Sequence, residues 1–207
     1  MRYDLHIHSK YSYDSLLSPT MILEVAKKRG LDGIAVTDHN TISGGLATQK
    51  ENHDPDFEVI VGAEIKTEFG DIIGLFLNEE ISSRCFSEVI DEIRSQGGYS
   101  VLAHPYRQYP SPEKIIGRVD FIEIFNSRSS LSENQKSQIL AKEALKKITA
   151  GSDAHSSMEI GSGVCIVESG HLNLESCPIL YEGKETNYFL SHGISYTNEI
   201  IKKLWEI

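Results

Sequence analysis

The sequence predicts an α/β fold built on a mainly parallel sheet. Short apolar runs with strand character alternate with helical stretches along the chain, a pattern typical of β-α-β units. No low-complexity tract, block of like charge or Gly/Ser-rich linker interrupts this alternation. The length of 207 residues is close to that of one ordinary domain, so we expect a single domain over residues 1–207.

The predicted elements begin with an apolar strand over Arg2–His8. A helix follows, because Ser18 is a good N-cap, Pro19 suits the first helical position and Gly30 is a typical stop. The strands predicted next are Gly33–Thr37, Phe57–Ala63 and Asp71–Leu77.

Helices and strands continue to alternate in the second half of the chain. Ser82 or Ser83 is the predicted cap of a helix that Gly97 and Gly98 end. The later predicted strands are Tyr99–Ala103, Asp120–Phe125, Ile148–Ala150 and Val164–Val167. The later predicted helices are Ser132–Lys146 and Thr197–Trp205.

The composition narrows the possible functions. Twenty basic and thirty acidic residues give a net charge of −10, which argues against duplex nucleic acid because phosphate neutralisation needs clustered lysine and arginine. No apolar run is long enough for a membrane span, and the N-terminus lacks the apolar stretch of a signal peptide. Because Cys85, Cys165 and Cys177 are far apart and odd in number, we expect no disulfide framework and a reducing, cytoplasmic compartment.

Histidines and carboxylates recur where the predicted strands end. His6 and His8 are two residues apart on one strand, so both imidazoles face the same side and can reach one ion. Asp153 and His155 have the same spacing. Further candidates at strand ends are His39, Glu64 and His104. Each alone is typical of a capped or solvated strand end, but the carboxyl ends of barrel strands converge on one face.

The types of these residues point to metal ions. Imidazole and carboxylate ligands without thiolate suit zinc, manganese or iron. The candidates exceed the four ligands that one tetrahedral ion needs. The sequence therefore predicts a site with more than one metal ion.

Taken together, these motifs resemble the polymerase and histidinol phosphatase (PHP) family of metal-dependent phosphoesterases. The resemblance extends from residue 3 to about residue 157 and rests on His6-x-His8, Asp14, Thr37-Asp38-His39, Glu64, His104-Pro105 and Gly151-Ser152-Asp153-Ala154-His155. It implies a distorted (β/α)7 barrel of parallel strands and a three-metal site that hydrolyses phosphate esters. Residues 158–207 carry no family motif, and we expect them to complete the barrel.

The resemblance also implies a role for each ligand. The first metal would be bound by His6, His8, Glu64 and Asp153. Glu64 would bridge to a second metal that His104 also binds. The third metal would be bound by Asp14, His39 and His155. Many family members place a histidine on the second metal in a His-x-x-Gly strand; here the stretch begins with Asp71, which is either a ligand or a cap of the turn at Gly70.

The expected chemistry is attack on phosphorus by a water that loses its proton between two cations. The candidate catalytic residues are Glu64, His104, Asp153 and His155. Arg107 and Arg128 are candidates for bidentate contact with phosphate, and Lys10 for a point charge, although each also fits a solvated surface cation. Glu123 lies in an apolar strand and is expected either to orient a ligand imidazole or to pair with a buried cation.

We therefore expect a phosphoric ester hydrolase with up to three divalent ions that acts on a small phosphomonoester or a nucleotide. One alternative is a nuclease acting on single-stranded nucleic-acid ends. Another is an amidohydrolase, which also opens with His-x-His on the first barrel strand but typically needs a longer, eight-stranded barrel. A third is a metal-stabilised module without catalysis. No feature of the sequence indicates an oligomeric state.

Overall fold

The fold is that of a computed structural model, which describes residues 1–107, 111–168, 172, 174 and 180–205. The strands in these residues are β1 (Arg2–Ile7), β2 (Gly33–Val36), β3 (Glu58–Thr67), β4 (Gly70–Leu75), β5 (Tyr99–Leu102), β6 (Phe121–Asn126), β7 (Lys147–Gly151), β8 (Gly163–Ile166) and β9 (Leu180–Gly183). The helices are α1 (Pro19–Lys28), α2 (Ser43–Glu51), α3 (Phe86–Ser95), α4 (Leu131–Glu143) and α5 (Tyr188–Trp205). Cys85 and Cys165 are free thiols, and Cys177 lies outside the described residues.

The strands form one sheet in the order β7-β6-β5-β4-β3-β2-β1-β8-β9. Pairing is parallel from β1 through β3 and again from β5 through β7. A parallel bridge between Ile7 and Ala154 brings the end of β1 beside the chain that leaves β7. The sheet therefore nearly closes into a barrel, and the predicted α/β barrel fold is confirmed.

One strand departs from the all-parallel barrel that the resemblance implies. β4 runs antiparallel to both β3 and β5. Only Glu68 and Phe69 separate β3 from β4, whereas a parallel return needs a crossover of about a dozen residues. The reversal places the first residues of β4, not its last, beside the carboxyl ends of β3 and β5.

Local sequence explains where two of the helices begin, α1 and α4. The Ser18 hydroxyl accepts a hydrogen bond from the Met21 amide at 3.2 Å, and Ser130 forms a capping box with Glu133 at the start of α4. α2 and β9 were not predicted, and α5 begins at Tyr188 rather than at Thr197. None of the described helices combines the length and the apolar character that a bilayer crossing requires.

Apolar packing on both sides of the sheet fixes the positions of the strand ends. Ile60, Ile73 and Phe121 lie in the buried cluster inside the barrel. Ile65 and Ile72 face the other way and pack against α3, whose buried residues are Phe86, Val89, Ile90 and Ile93. Each such side chain contributes about 1.5–3 kcal/mol when it is buried, so this packing holds the residues at the strand ends in place.

Candidate metal centre

The nine residues predicted as metal ligands lie together at the carboxyl ends of β1, β2, β3, β5 and β7, and all of them except His6 and His8 line one cavity. They are His6, His8, Asp14, His39, Glu64, Asp71, His104, Asp153 and His155. All are buried except His39, which is half-buried. Asp71 reaches the cavity because β4 is reversed, and Asp14 reaches it from the loop after β1.

These side chains form four overlapping groups, and within each group one donor atom per residue lies within 4.8 Å of the others. The groups are His8, Asp14, His39 and His155; His6, His8 and Glu64; His6, His104 and Asp153; and Glu64, Asp71 and His104. Several residues belong to two groups, so the donors form one continuous cluster.

Glu64 lies at the centre of the cluster. Its Oε2 atom is 3.4 Å from His6 Nε2 and 3.3 Å from His8 Nε2. Oε2 is also 3.3 Å from His39 Nδ1, whereas Oε1 is 2.8 Å from His104 Nε2. The two oxygens thus face different histidines, which is the arrangement that a carboxylate bridging two cations requires.

Asp14 and Asp153 belong to different donor groups of the cluster. Asp14 Oδ2 is 2.8 Å from His155 Nε2 and 3.4 Å from His39 Nε2. Asp153 Oδ1 is 3.3 Å from His8 Nε2, whereas its Oδ2 atom accepts a hydrogen bond from Arg107 at 2.6 Å. Asp153 therefore presents one oxygen to the cluster and keeps the other on the arginine.

The mutual burial of these groups shifts their pKa values. Burial opposes ionisation of Glu64, but the charges of His6 and His39 outweigh it and hold the pKa of Glu64 well below its usual value. Burial, and then the charge of Glu64, raise the pKa of Asp71. Burial lowers the pKa of His155 to about 4, whereas at His8 the hydrogen bonds to Asp153 and Glu64 outweigh burial and raise the pKa to about 10.

The donor set fits divalent metal ions. Five imidazoles and four carboxylates meet without a thiolate, a composition that suits zinc, manganese or iron. His6 Nε2 and His8 Nε2 lie 3.1 Å apart and both face Glu64 Oε2, so three donor atoms converge on one point. Burying several carboxylates together is costly unless cations compensate their charge.

Glu123 holds two of the candidate ligands from outside the cluster. Its Oε1 atom is 2.9 Å from His6 Nδ1, and its Oε2 atom accepts hydrogen bonds from the His104 amide at 2.9 Å and from Asn126 Nδ2 at 3.0 Å. When His6 donates through Nδ1, its Nε2 atom is free to bind a metal ion. Of the two sequence hypotheses for Glu123, the geometry favours orientation of a ligand imidazole.

We expect Glu123→Gln to weaken metal binding by about 10- to 100-fold. Both oxygens of Glu123 accept hydrogen bonds, whereas glutamine in either orientation turns one of them into an amide donor that faces another donor. Competition with a chelator measures this affinity, with Glu143→Gln on the exposed end of α4 as the matched control. Equal affinities in both variants would show that Glu123 does not position the ligands.

The backbone is also unusual at two candidate ligands. His104 has a φ of 26° and Asp153 a φ of 56°, in the left-handed region that residues with a side chain rarely adopt. Such a conformation costs on the order of 1–3 kcal/mol and persists only where the surroundings enforce it. At His104 the hydrogen bond from its amide to Glu123 is one such constraint.

The cavity has a volume of about 200 Å³. Of the predicted substrate contacts, Arg107 and Arg128 line it, but Lys10 does not: its ammonium group lies 5.7 Å from the centre of the Tyr11 ring. Lys66 also lines the cavity and was missed by the sequence analysis. The sequence spacing could have predicted this position, because Lys66 follows Glu64 by two residues and so shares its face of the strand.

Helix α5 supplies one wall of the cavity, through His192 and Ser195. The helix is tied to the site by Arg128, which lies 2.6 Å from His155 Nδ1 and donates to the Ser195 hydroxyl at 2.8 Å. Asn198 also donates to the backbone oxygen of Asp14 at 3.2 Å. The candidate site therefore includes residues beyond the predicted motifs.

Comparison with known proteins identifies similar sequences and folds. The family model described as "PHP domain" matches residues 4–174. An uncharacterised protein of Methanocaldococcus jannaschii is 43% identical over 143 residues, which are 61% of this chain and 82% of the relative.

Solved structures share the fold at low sequence identity. PsfC of Pseudomonas syringae PB-5123 has a TM-score of 0.72 and 18% identity, over 97% of this chain and 98% of that one. A two-domain protein of Bacteroides vulgatus, described as containing a "predicted PHP-like metal-dependent phosphoesterase", has a TM-score of 0.69 and 19% identity. That match covers 81% of this chain, which spans 58% of the two-domain protein.

Proposed function

The chain belongs to the PHP domain family, and we propose that it hydrolyses small phosphate esters with the help of divalent metal ions. The observation that carries the proposal is the cluster of nine buried or half-buried imidazole and carboxylate side chains, seven of which line one cavity. Hydrolases of phosphate esters use such sites because clustered cations stabilise the charge that develops on phosphate oxygens.

We propose that the donors divide into three metal sites that share ligands. The first is formed by His6, His8, Glu64 and Asp153. The second is formed by Glu64, Asp71 and His104. The third is formed by Asp14, His39 and His155. Zinc, manganese and iron are the candidate ions, since each accepts both imidazole nitrogen and carboxylate oxygen.

Bound cations would supply a water of lowered pKa and neutralise phosphate oxygens. The protein side chains would position the metal ligands and the ester. Glu64 holds histidines on both of its oxygens, and Glu123 fixes the ring of His6. Arg107 donates from one terminal nitrogen to Asp153 and from the other to Asn126 and Ser129, and it lines the cavity, where its positive charge would face a phosphate of the ester.

The small cavity supports a small substrate. A volume of about 200 Å³ lies below the range of roughly 300–1,000 Å³ that is usual for drug-sized ligands. A phosphomonoester or the terminal phosphate of a nucleotide fits such a space better than a polymer chain does. The assignment of Arg107 and Arg128 to substrate binding stays a prediction, and Lys10 is the weakest of the three because it lies outside the cavity wall.

A combined metal analysis and phosphate-release assay tests the proposal. We expect up to three divalent ions per chain after loading with zinc, manganese or iron, and release of phosphate from at least one ester in a panel of sugar phosphates, aryl phosphates and nucleotides. The panel also contains single-stranded oligonucleotides and amide substrates. Cleavage of amides alone would favour the amidohydrolase alternative, and stoichiometric metal without any hydrolysis would favour a metal-stabilised module.

Metal removal should also lower the melting temperature. A ligand that binds only the folded state at one hundred times its dissociation constant stabilises that state by about 2.7 kcal/mol. We therefore expect the chelated protein to melt several degrees lower, and to recover when one of the three metals is returned. Calorimetry with and without chelator measures the difference; identical melting curves would contradict a metal centre built from these residues.

A further inference from the structure

Lys66 differs from the two arginines of the cavity, because no carboxylate of the described residues lies within ion-pair distance of its ammonium group, although its charge acts on the neighbouring Asp71 from farther away. Arg107 is 2.6 Å from Asp153, and Arg128 is 3.4 Å from Glu159. The ammonium group of Lys66 has neither a hydrogen bond nor an ion pair within the part of the chain that the structure describes. Lys66 is exposed and lines the cavity.

The position of Lys66 follows from its place in β3. It comes two residues after Glu64, so both side chains lie on the inner face of the sheet, and their Cα atoms are about 6.6–6.8 Å apart along the strand. Its neighbour across the β3–β4 pair is Asp71, yet no ion pair within 4.0 Å joins them. Lys66 therefore places a positive charge at the rim of the cavity, two residues along β3 from the carboxylate of Glu64.

We propose that Lys66 binds a second anionic group of the substrate, a carboxylate or a second phosphate on the side of the scissile phosphate that faces Lys66. The inference rests on the proposed function, because it assumes that the phosphate to be cleaved lies over the metal ligands. An exposed lysine is a mobile point charge, so it suits an anionic group without demanding one fixed geometry. Lys66 is thus a specificity residue that selects esters with two separated negative groups.

Binding of non-hydrolysable probes to the metal-loaded protein tests this inference. The probes are benzylphosphonate, 4-carboxybenzylphosphonate and 1,4-phenylenebis(methylphosphonate), which differ only in the group opposite the first phosphonate. Titration calorimetry gives the dissociation constants for the wild type, for Lys66→Gln and for Lys50→Gln, an exposed lysine at the end of α2. Because binding is measured without turnover, the outcome is independent of whether the protein hydrolyses any ester.

We expect the wild type to bind at least one of the two doubly anionic probes about tenfold more tightly than benzylphosphonate, the effect of one charge pair near a protein surface. Lys66→Gln should reduce that ratio to within about twofold of unity, and Lys50→Gln should keep it. The probe that shows the preference distinguishes a carboxylate from a phosphate. The proposal would be overturned if the wild type bound all three probes equally tightly, or if Lys66→Gln kept the wild-type ratio of dissociation constants. It would also be overturned if Lys66→Gln weakened the binding of all three probes by the same factor.

Discussion

Replacing Glu64 by glutamine is expected to lower turnover of a phosphate ester by at least about a thousandfold, which corresponds to ~4 kcal/mol of transition-state stabilisation. The residue is 1% exposed, and its side chain contacts His6, His8 and His39 through one oxygen and His104 through the other. An amide has nearly the same shape but lacks the negative charge and offers one acceptor oxygen instead of two. Two of the proposed metal sites therefore lose their shared ligand at once.

The measurements that check this are steady-state rates, metal content and a melting curve on the same preparation. Glu51→Gln, at the exposed end of α2, is the matched control and should behave like the wild type. We expect Glu64→Gln to fold and to bind fewer ions per chain. A variant that keeps its metal content and its rate would show that Glu64 is not a bridging ligand.

Pairs of ligands at the strand ends could be predicted because two simple rules act together. The spacing of His6 and His8 places both on one face of β1, and the convergence of parallel strands brings Asp153 and His155 beside them. Both contacts are present in the structure. His6 Nε2 lies 3.1 Å from His8 Nε2, and His8 Nε2 lies 3.3 Å from Asp153 Oδ1. Neither rule depends on loop conformation, so the prediction is insensitive to errors in element boundaries.

Residues that depend on element boundaries were missed. The third strand was predicted to end at Ala63, so Lys66 was assigned no face, whereas β3 continues to Thr67. Helix α5 was predicted only from Thr197, whereas it begins at Tyr188, and His192 lines the cavity from the first half of that helix. The two-residue spacing from Glu64 could have placed Lys66, whereas the first half of α5 is bonded to Arg128 from a distant part of the chain, which local sequence does not reveal.

Helix α2 was missed because its local sequence is a poor predictor of a helix. Its sequence contains Gly44 and Gly45, which are poor helix formers. A Cβ atom at Gly44 would lie 1.8 Å from Asp38 Oδ2 and 2.2 Å from Ser9 Oγ. Asp38 in turn accepts hydrogen bonds from the amide and hydroxyl of Ser9, directly after His8. The glycine therefore reflects close packing behind the first ligand motif, which no local propensity reveals.

Replacing His104 by alanine is expected to lower turnover by about a hundredfold, or ~2.7 kcal/mol of transition-state stabilisation. The proposed second site has only Glu64, Asp71 and His104 as protein ligands, so the loss of the imidazole leaves two carboxylates. Rates measured over a range of metal concentrations check the prediction, with the exposed His53→Ala as the matched control. Because His104 adopts a φ of 26°, His104→Asn serves as a second variant that tolerates this backbone conformation. A rate that stays at the wild-type level in both variants would remove His104 from the site.

A double variant then shows whether Asp71 acts through the same ion. Asp71 is 6% exposed, and it forms one donor group with Glu64 and His104. If both ligands hold one cation, removing the second after the first should cost little, as for groups that act as a unit. We expect His104→Ala combined with Asp71→Asn to be slower than the slower single variant by no more than about threefold. Single-variant losses that multiply in the double variant would mean that Asp71 contributes independently, and that its position after Gly70 caps the turn rather than binds the metal.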